Sequence, residues 1–139
     1  MKYFLDTNIF LRYFTDEHQN KIYKECTELI KLIKFNKINA TTSHLVIAEV
    51  VWTLQSSYQA TKEQVVKVLQ LIESLGLTYL ESVNSGVANE LFKTKSVKYI
   101  DVLIASNPLV QSKKMVIVSY DKDFDKLGVV REEPSEVIL

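Results

Sequence analysis

The chain has 139 residues, 47% hydrophobic and 24% charged, and its three glycines and two prolines exclude long linkers and low-complexity segments, which predicts one domain over residues 1–139. Seventeen basic and seventeen acidic side chains cancel, which excludes a global positive field that would steer the protein onto nucleic acid. Cys26 is the only cysteine, so an internal disulfide and a cysteine-based zinc site are excluded, and we expect Cys26 to be a buried helix residue.

The first third of the chain predicts a strand followed by two helices. Residues 2–5 form a short β-rich run that ends at Asp6, and the apolar residues that follow predict a helix directly behind the strand. Residues 19–36 carry apolar side chains on one helical face and lysines on the other, as in an amphipathic helix. Asp6 therefore falls at the carboxyl end of a strand.

The middle of the chain predicts a helix pair over residues 43–75 between two brief strands. Ser43 can cap the first helix. Thr61 and Gln64 fit a capping box that opens the second helix, and Gly76 ends it. The two brief strands are the segments INATTS and LTYLE.

The last third of the chain predicts five elements. They are two helices at 87–95 and 99–113, a buried strand at 115–119, a short helix at 121–127 and a last strand at 128–130. The second of these helices has Asp101 in its first turn and a break near Pro108. The β-branched run MVIVS is typical of a buried parallel strand. This order of elements predicts an α/β domain with a mostly parallel sheet.

Four acids stand almost alone among apolar residues, where a core would otherwise place hydrocarbon: Asp6, Glu49, Asp101 and Asp121. A carboxylate that is removed from water costs several kcal/mol unless it is paired, hydrogen-bonded or bound to a metal. The first three acids have no adjacent basic residue. A shared cation is therefore the partner that we expect for them.

The predicted topology brings these acids together. Ligands of a parallel sheet bind beyond the carboxyl ends of its strands, where Asp6 and Asp121 both lie if the first and fourth strands are central neighbours. Glu49 and Asp101 lie on helices that begin beside those ends. Because four carboxylates in one pocket repel one another, we expect them to hold Mg²⁺ or Mn²⁺, which prefer oxygen ligands. Such a site predicts phosphoryl or nucleotidyl transfer without a protein nucleophile.

Each acid also has a structural interpretation. Asp6 could cap the helix that follows it, Asp101 could interact with a helix dipole, and Asp121 could open a turn. Glu49 has no capping role because it lies in the middle of a helix, on the same face as Trp52. We expect Glu49 to point inward, and we expect Trp52 to belong to the core or its rim rather than to stack on a base.

Other candidate residues are less informative. His18 and His44 lack the spacing of metal ligands, and we expect them at the surface or in caps. An exposed Tyr13 or Phe14 near Asp6 could stack on a base. Because an acid appears by residue 6 and no segment is long and apolar enough to span a membrane, neither secretion nor membrane insertion is predicted, and the expected compartment is the cytoplasm.

Four segments, in this order, resemble the PIN-domain ribonucleases, and among them the VapC-type toxins of type II toxin–antitoxin pairs. FLDTNIFLRYF is similar to the opening strand, turn and helix of the family. SHLVIAEVVW, YIDVLIA and SYDKDF are similar to the segments that carry its later acids. The likeness covers nearly the whole chain.

The resemblance implies a three-layer α/β fold, with a central sheet of four to five strands and helices on both faces. It implies a metal-dependent endoribonuclease, a homodimer, an RNA substrate and a small antitoxin that silences the enzyme. It implies that four acids are the ligands for Mg²⁺ or Mn²⁺, namely Asp6, Glu49, Asp101 and Asp121. It also implies three supporting polar residues, namely Thr7, Asn8 and Ser119. Asp123 and Asp125 are alternatives to Asp121 as the fourth acid. Asp123 is the alternative metal ligand, whereas we expect Asp125 to face solvent beside Lys126.

Several other functions stay open at this stage. A haloacid-dehalogenase-like phosphohydrolase would need a second acid where this chain has Asn8. A phospho-accepting receiver domain would need a lysine on its last strand, whereas Lys113 and Lys114 precede MVIVS. Within the PIN fold, the alternatives are a housekeeping nuclease of RNA processing and a non-catalytic interaction module.

Overall fold

The computed structural model describes residues 1–15 and 20–139, so His18 and the first residue of the predicted second helix lie outside the described part. The strands are β1 (Lys2–Leu5), β2 (Ala40–Thr42), β3 (Thr78–Tyr79), β4 (Met115–Val118) and β5 (Arg131–Glu132). The helices are α1 (Thr7–Thr15), α2 (Lys21–Lys34), α3 (His44–Ser56), α4 (Lys62–Ser74), α5 (Ser85–Thr94), α6 (Tyr99–Ala105), α7 (Pro108–Gln111) and α8 (Pro134–Val137), with a 3₁₀ helix at Lys122–Leu127.

The five strands form one parallel sheet in the order β3-β2-β1-β4-β5. β1 lies between β2 and β4, and in the pairing of β1 with β4 Leu5 is opposite Val118. The helices contact one another in two groups, α1 to α4 with α8, and α5 to α7 with the 3₁₀ helix. The three-layer α/β fold and the central position of the first and fourth strands are therefore confirmed.

Burial explains which strands are central. Every side chain of β4 is buried, as expected for a parallel strand that is covered on both faces. Phe4 and Leu5 are buried in β1, whereas both residues of the edge strand β3 are exposed. The Thr42 hydroxyl of β2 donates a hydrogen bond to the Leu5 carbonyl at 3.1 Å. This buried bond holds β2 against the end of β1.

The predicted helices and caps are largely present. α2 buries the stripe that includes Cys26 and Ile30, and its lysines are exposed. Ser43 caps α3 and the Thr61–Gln64 capping box opens α4. The helix near Pro108 breaks there, because the Asn107 side chain caps a new helix, α7. Gly76 ends α4 in the left-handed conformation at φ +66°, which glycine adopts without strain.

Three features differ from the sequence predictions. The last strand is Arg131–Glu132 and not residues 128–130. Helix α8 has no predicted counterpart. Trp52 is 68% exposed and does not belong to the core, because α3 buries Val46, Val50 and Leu54 instead. In the described part of the chain, no helix is both long enough and apolar enough to cross a membrane.

Candidate metal centre

Asp6 lies where β1 ends, fixed by the neighbouring strand β4. Its backbone N–H donates to the Val118 carbonyl at 3.1 Å, which extends the β1–β4 ladder by one residue. The Ser119 hydroxyl donates to Asp6 Oδ2 at 2.7 Å, and the Asn8 side-chain amide donates to the same oxygen at 3.3 Å. The Asn8 amide also donates to Ser119 Oγ at 3.0 Å. Three predicted site residues therefore share one network.

The same network reaches Asp121. Ser119 Oγ accepts a hydrogen bond from the Asp121 backbone N–H at 3.0 Å, and Asn8 Oδ1 accepts one from the Tyr120 backbone N–H at 3.2 Å. Asp121 Oδ1 accepts from the Asp123 backbone N–H at 2.9 Å and so caps the 3₁₀ helix. Asp121 thus has the structural role that the sequence suggested, and it also faces the other acids.

Two helices bring the remaining acids to this edge of the sheet. Glu49 is half-buried on α3, and Asp101 is only 2% exposed in the first turn of α6. The buried oxygens Asp101 Oδ2 and Thr7 Oγ1 have no hydrogen-bond partner among the described residues. A buried carboxylate oxygen without a donor is costly, and a bound cation would remove that cost.

The four predicted acids line one open cleft of about 360 Å³. Its described wall residues are Asp6, Thr7, Asn8, Leu11, Glu49, Trp52, Thr53, Lys98, Asp101 and Asp121. The structure therefore brings Asp6, Glu49, Asp101 and Asp121 together, with Thr7 and Asn8 beside them. Ser119 lies behind Asp6 and contacts the cleft through its hydrogen bonds.

Burial and the repulsion of neighbouring charges make two of these acids, Asp6 and Asp101, hard to ionise. Desolvation, together with the smaller effect of the charges of Glu49 and Asp121, raises the pKa of Asp6 from 3.8 to about 6, against the lowering effect of the hydrogen bond from Ser119. Desolvation, and then the charge of Asp6, raise the pKa of Asp101 from 3.8 to about 7, against the lowering effect of Lys98. A cation at this site would reverse both effects.

The residues present fit a hard divalent cation. The donors are carboxylate oxygens, as Mg²⁺ and Mn²⁺ prefer, and the unpartnered oxygen of Asp101 supplies a ligand atom. A second grouping overlaps the first, because one carboxylate oxygen from each of Asp101, Asp121 and Asp123 lies within 4.8 Å of the others. Asp123 therefore stays an alternative ligand beside the four predicted acids.

The acids of the 3₁₀ helix each bind a basic residue. Asp125 is exposed, as expected, and it accepts hydrogen bonds from Arg131 Nε at 3.0 Å and Nη2 at 3.2 Å. Asp123 forms an ion pair with Lys126 at 3.0 Å. Arg131 Nη1 also donates to the Ser119 carbonyl at 2.9 Å. Asp125 thus supports the backbone behind the cleft and does not face it.

Four wall residues of the cleft were not predicted, namely Leu11, Trp52, Thr53 and Lys98, and the largest and the charged one among them are Trp52 and Lys98. Lys98 lies three positions before Asp101 in the sequence, and this spacing is the signal that could have predicted its position beside the cleft. Trp52 lines the cleft, whereas Tyr13 and Phe14 pack edge to face on each other at 4.9 Å and are not among its described wall residues. His44 is exposed at the start of α3, where it pairs with Glu81 at 2.7 Å, so its expected surface position is confirmed.

Sequence comparison identifies the family to which this fold corresponds. A family model for the PIN domain matches residues 3–130. Comparison with curated protein sequences gives no match.

Solved structures with the same fold include three from bacteria and archaea. VapBC2 from Rickettsia felis, bound to a DNA fragment from its promoter, matches with a TM-score of 0.69 and 23% identity, over 96% of this chain and 98% of that one. PAE2754 from Pyrobaculum aerophilum has a TM-score of 0.68 and 14% identity, over 99% and 93%. The Mycobacterium tuberculosis toxin VapC20, which cleaves the sarcin–ricin loop, has a TM-score of 0.66 and 16% identity, over 95% and 99%.

The raised pKa values predict how the stability of the metal-free protein depends on pH. The folded state binds protons at Asp6 and Asp101 at pH values where the unfolded chain does not, so the free energy of unfolding should rise as the pH falls from 8 through 7 and 6 towards 4. Asp101→Asn should reduce this gain by on the order of 2 kcal/mol and should be more stable than wild type at pH 8.

Denaturant unfolding in EDTA across this pH range measures the effect. Glu28→Gln, which changes an exposed acid on α2, is the control and should keep the wild-type pH profile. A pH profile of Asp101→Asn that coincides with the wild-type profile would show that the cleft does not penalise the charge.

Proposed function

The chain belongs to the PIN domain family, and from this premise we propose that it is a divalent-metal-dependent endoribonuclease that acts in the cytoplasm. The observation that carries the proposal is the convergence of Asp6, Glu49, Asp101 and Asp121 on one cleft. Two of these acids follow the central strands and two lie on separate helices. Such a cluster is expensive unless it binds a cation, since it adds repulsion to desolvation.

We propose that these four carboxylates hold Mg²⁺ or Mn²⁺, which when bound would lower the pKa of a water and offset the charge of the leaving oxygen. Ser119 and Asn8 fix the direction of the Asp6 carboxylate through bonds of 2.7 and 3.3 Å. Thr7 adds a buried hydroxyl without a partner among the described residues. The protein thus supplies oriented oxygen ligands and no nucleophile of its own.

The family match removes two alternatives that the sequence left open. Neither a haloacid-dehalogenase-like phosphohydrolase nor a receiver domain belongs to the PIN family. A non-catalytic interaction module stays the second candidate, but it gives no reason to retain buried acids whose pKa is raised. Ligand-binding chemistry explains these acids better.

We further propose that the protein is the toxin of a toxin–antitoxin pair, with a housekeeping nuclease of RNA processing as the alternative. Support comes from the fold shared with VapBC2 and with the toxin VapC20 over nearly the whole of each chain. Under this proposal a small antitoxin covers the acidic cleft and the protein forms a homodimer. Exposed apolar residues on and beside the α3–α4 pair, Tyr58, Val66 and Leu71, offer a surface for such contacts.

The metal dependence is directly testable. We expect the purified protein to cleave single-stranded RNA with Mg²⁺ or Mn²⁺ and to stop in excess EDTA. Asp6→Asn should abolish cleavage yet fold with equal or higher metal-free stability, because it removes a penalised charge. Gel assays with melting curves check both parts, and Glu28→Gln should behave as wild type. Cleavage that persists undiminished in EDTA would rule the mechanism out.

The acids around the 3₁₀ helix should differ in importance. Asp121→Asn should reduce kcat about 10²-fold or more if a metal ligand is lost, with Asp123→Asn intermediate. Asp125→Asn should leave kcat nearly unchanged but lower the melting temperature, because Asp125 holds Arg131 against the Ser119 carbonyl. Steady-state kinetics with thermal melts separate the three. A larger loss for Asp123→Asn than for Asp121→Asn would reassign the fourth ligand.

The proposed partners have their own test. Light scattering should give the mass of a dimer, and a small protein encoded directly beside this gene should co-purify and inhibit cleavage. A monomer at concentrations on the order of tens of micromolar would count against the dimer. Cleavage that is unaffected by the neighbouring gene product would favour the housekeeping alternative.

A further inference from the structure

Trp52 is a large apolar side chain that the core does not use. It is the only tryptophan of the chain, it is 68% exposed, and it lies one helical turn beyond Glu49 on the wall of the acidic cleft. Residues three apart on a helix share a face, so Trp52 and Glu49 point towards the same space. A flat, exposed indole beside a charged cleft is suited to stacking on another ring.

Lys98 is the basic residue on the described wall of the same cleft. Its ammonium forms no ion pair within 4.0 Å with a carboxylate in residues 1–15 and 20–139. Desolvation lowers the pKa of Lys98, but the charges of the four acids outweigh it and raise that pKa above its usual value. A cation here competes electrostatically with the divalent ion that the acids would bind. The presence of a lysine on the cleft wall is therefore better explained by the binding of an incoming anion than by neutralisation of the acids.

We propose that Trp52 and Lys98 form a nucleotide subsite on the wall of the acidic cleft, in which the indole stacks on an unpaired base and the ammonium pairs with a backbone phosphate. The subsite rests on the proposed ribonuclease function and specifies its substrate. Stacking requires a base whose face is free, so the subsite selects single-stranded RNA over duplex. A cleft of about 360 Å³ is large enough for one nucleotide at a time.

Charge favours RNA over a second copy of this chain as the occupant of this subsite. The cleft offers an aromatic face, a free ammonium and carboxylates that would carry metal ions. A nucleotide presents the matching base, phosphate and metal-binding oxygens in one unit. A second copy that bound through the same patch, as in a two-fold dimer, would instead bring another set of acids close to the first.

The sole tryptophan makes the subsite directly observable. Asp6→Asn, which should bind RNA without cleaving it, is titrated in Mg²⁺ with a short single-stranded oligoribonucleotide and with its duplex. Quenching of the Trp52 emission by the single strand, and much less by the duplex, is expected. Equal quenching by both would overturn the proposed selection for unpaired bases. If the Trp52 emission changes with protein concentration in the absence of RNA, the subsite is overturned and Trp52 lies on a self-association surface instead.

Variants of the active protein test the two contacts separately. Trp52→Ala should raise KM for single-stranded RNA about tenfold with little change in kcat, and Trp52→Phe should restore most of the loss. Lys98→Met should raise KM and reduce the slope of log affinity against log salt by about 0.7, as for one lost phosphate contact on a single strand. The controls are Phe35→Ala and Lys95→Met, exposed residues outside the described cleft wall.

Metal binding distinguishes a phosphate contact from simple charge neutralisation. Lys98→Met removes a positive charge that repels the metal ion. Mn²⁺ should therefore bind the variant more tightly, even though the variant cleaves RNA less well. Tighter Mn²⁺ binding with unchanged or improved cleavage would overturn the role of Lys98. If wild type cleaves RNA and both variants keep its KM, the subsite fails while the nuclease stands. If wild type does not cleave at all, the proposed function fails, and the emission titration decides the subsite independently.

Discussion

The parallel pairing of β1 with β4 places the ends of two buried strands side by side, and the acidic cleft is built on that pairing. Leu5 lies opposite Val118, so Asp6 and Ser119 meet one residue beyond the last paired positions. The Ser119 hydroxyl donates to Asp6 and accepts from the Asp121 backbone, which joins two acids through one oxygen. Because a slip of one residue would turn every side chain of β1 to the opposite face, the strand register itself specifies the site.

Local sequence signals were sufficient for the long elements and insufficient for the short ones. α2 and α4 each have a continuous apolar stripe and a capping side chain, so their pattern alone predicts them. The single turn of α8 is too short to show any periodicity, although Glu133 and Glu136 form a capping box around it. β5 depends on its partner, because the register of β4 selects Arg131–Glu132 over the more β-prone valines just before.

Three acids of the site were recognisable because each is an isolated charge in an apolar segment, and Asp121 was recognisable because it ends an apolar run. Neither signal needs knowledge of the fold. The exposed position of Trp52 was not recognisable from the sequence. Because α3 is apolar on nearly every side, its sequence pattern could not show that the face with Val46 and Val50 packs into the core. The position of Lys98 on the cleft wall depends on the tertiary structure, which brings the start of α6 to the same cleft as Asp6. The partner of Asp125 depends on the 3₁₀ helix and on Gly128, whose φ of +70° turns the chain so that Arg131 reaches back.

The joining of Asp6 to Ser119 has a consequence for how the protein is made. These two residues are 113 positions apart, so Asp6 leaves the ribosome long before its hydrogen-bond partner exists. Segments made early fold first during synthesis, but β1 lacks one of its two neighbours until β4 emerges. A nascent chain therefore has no assembled cleft until residue 121 has left the ribosome, by which point most of the chain has already been made.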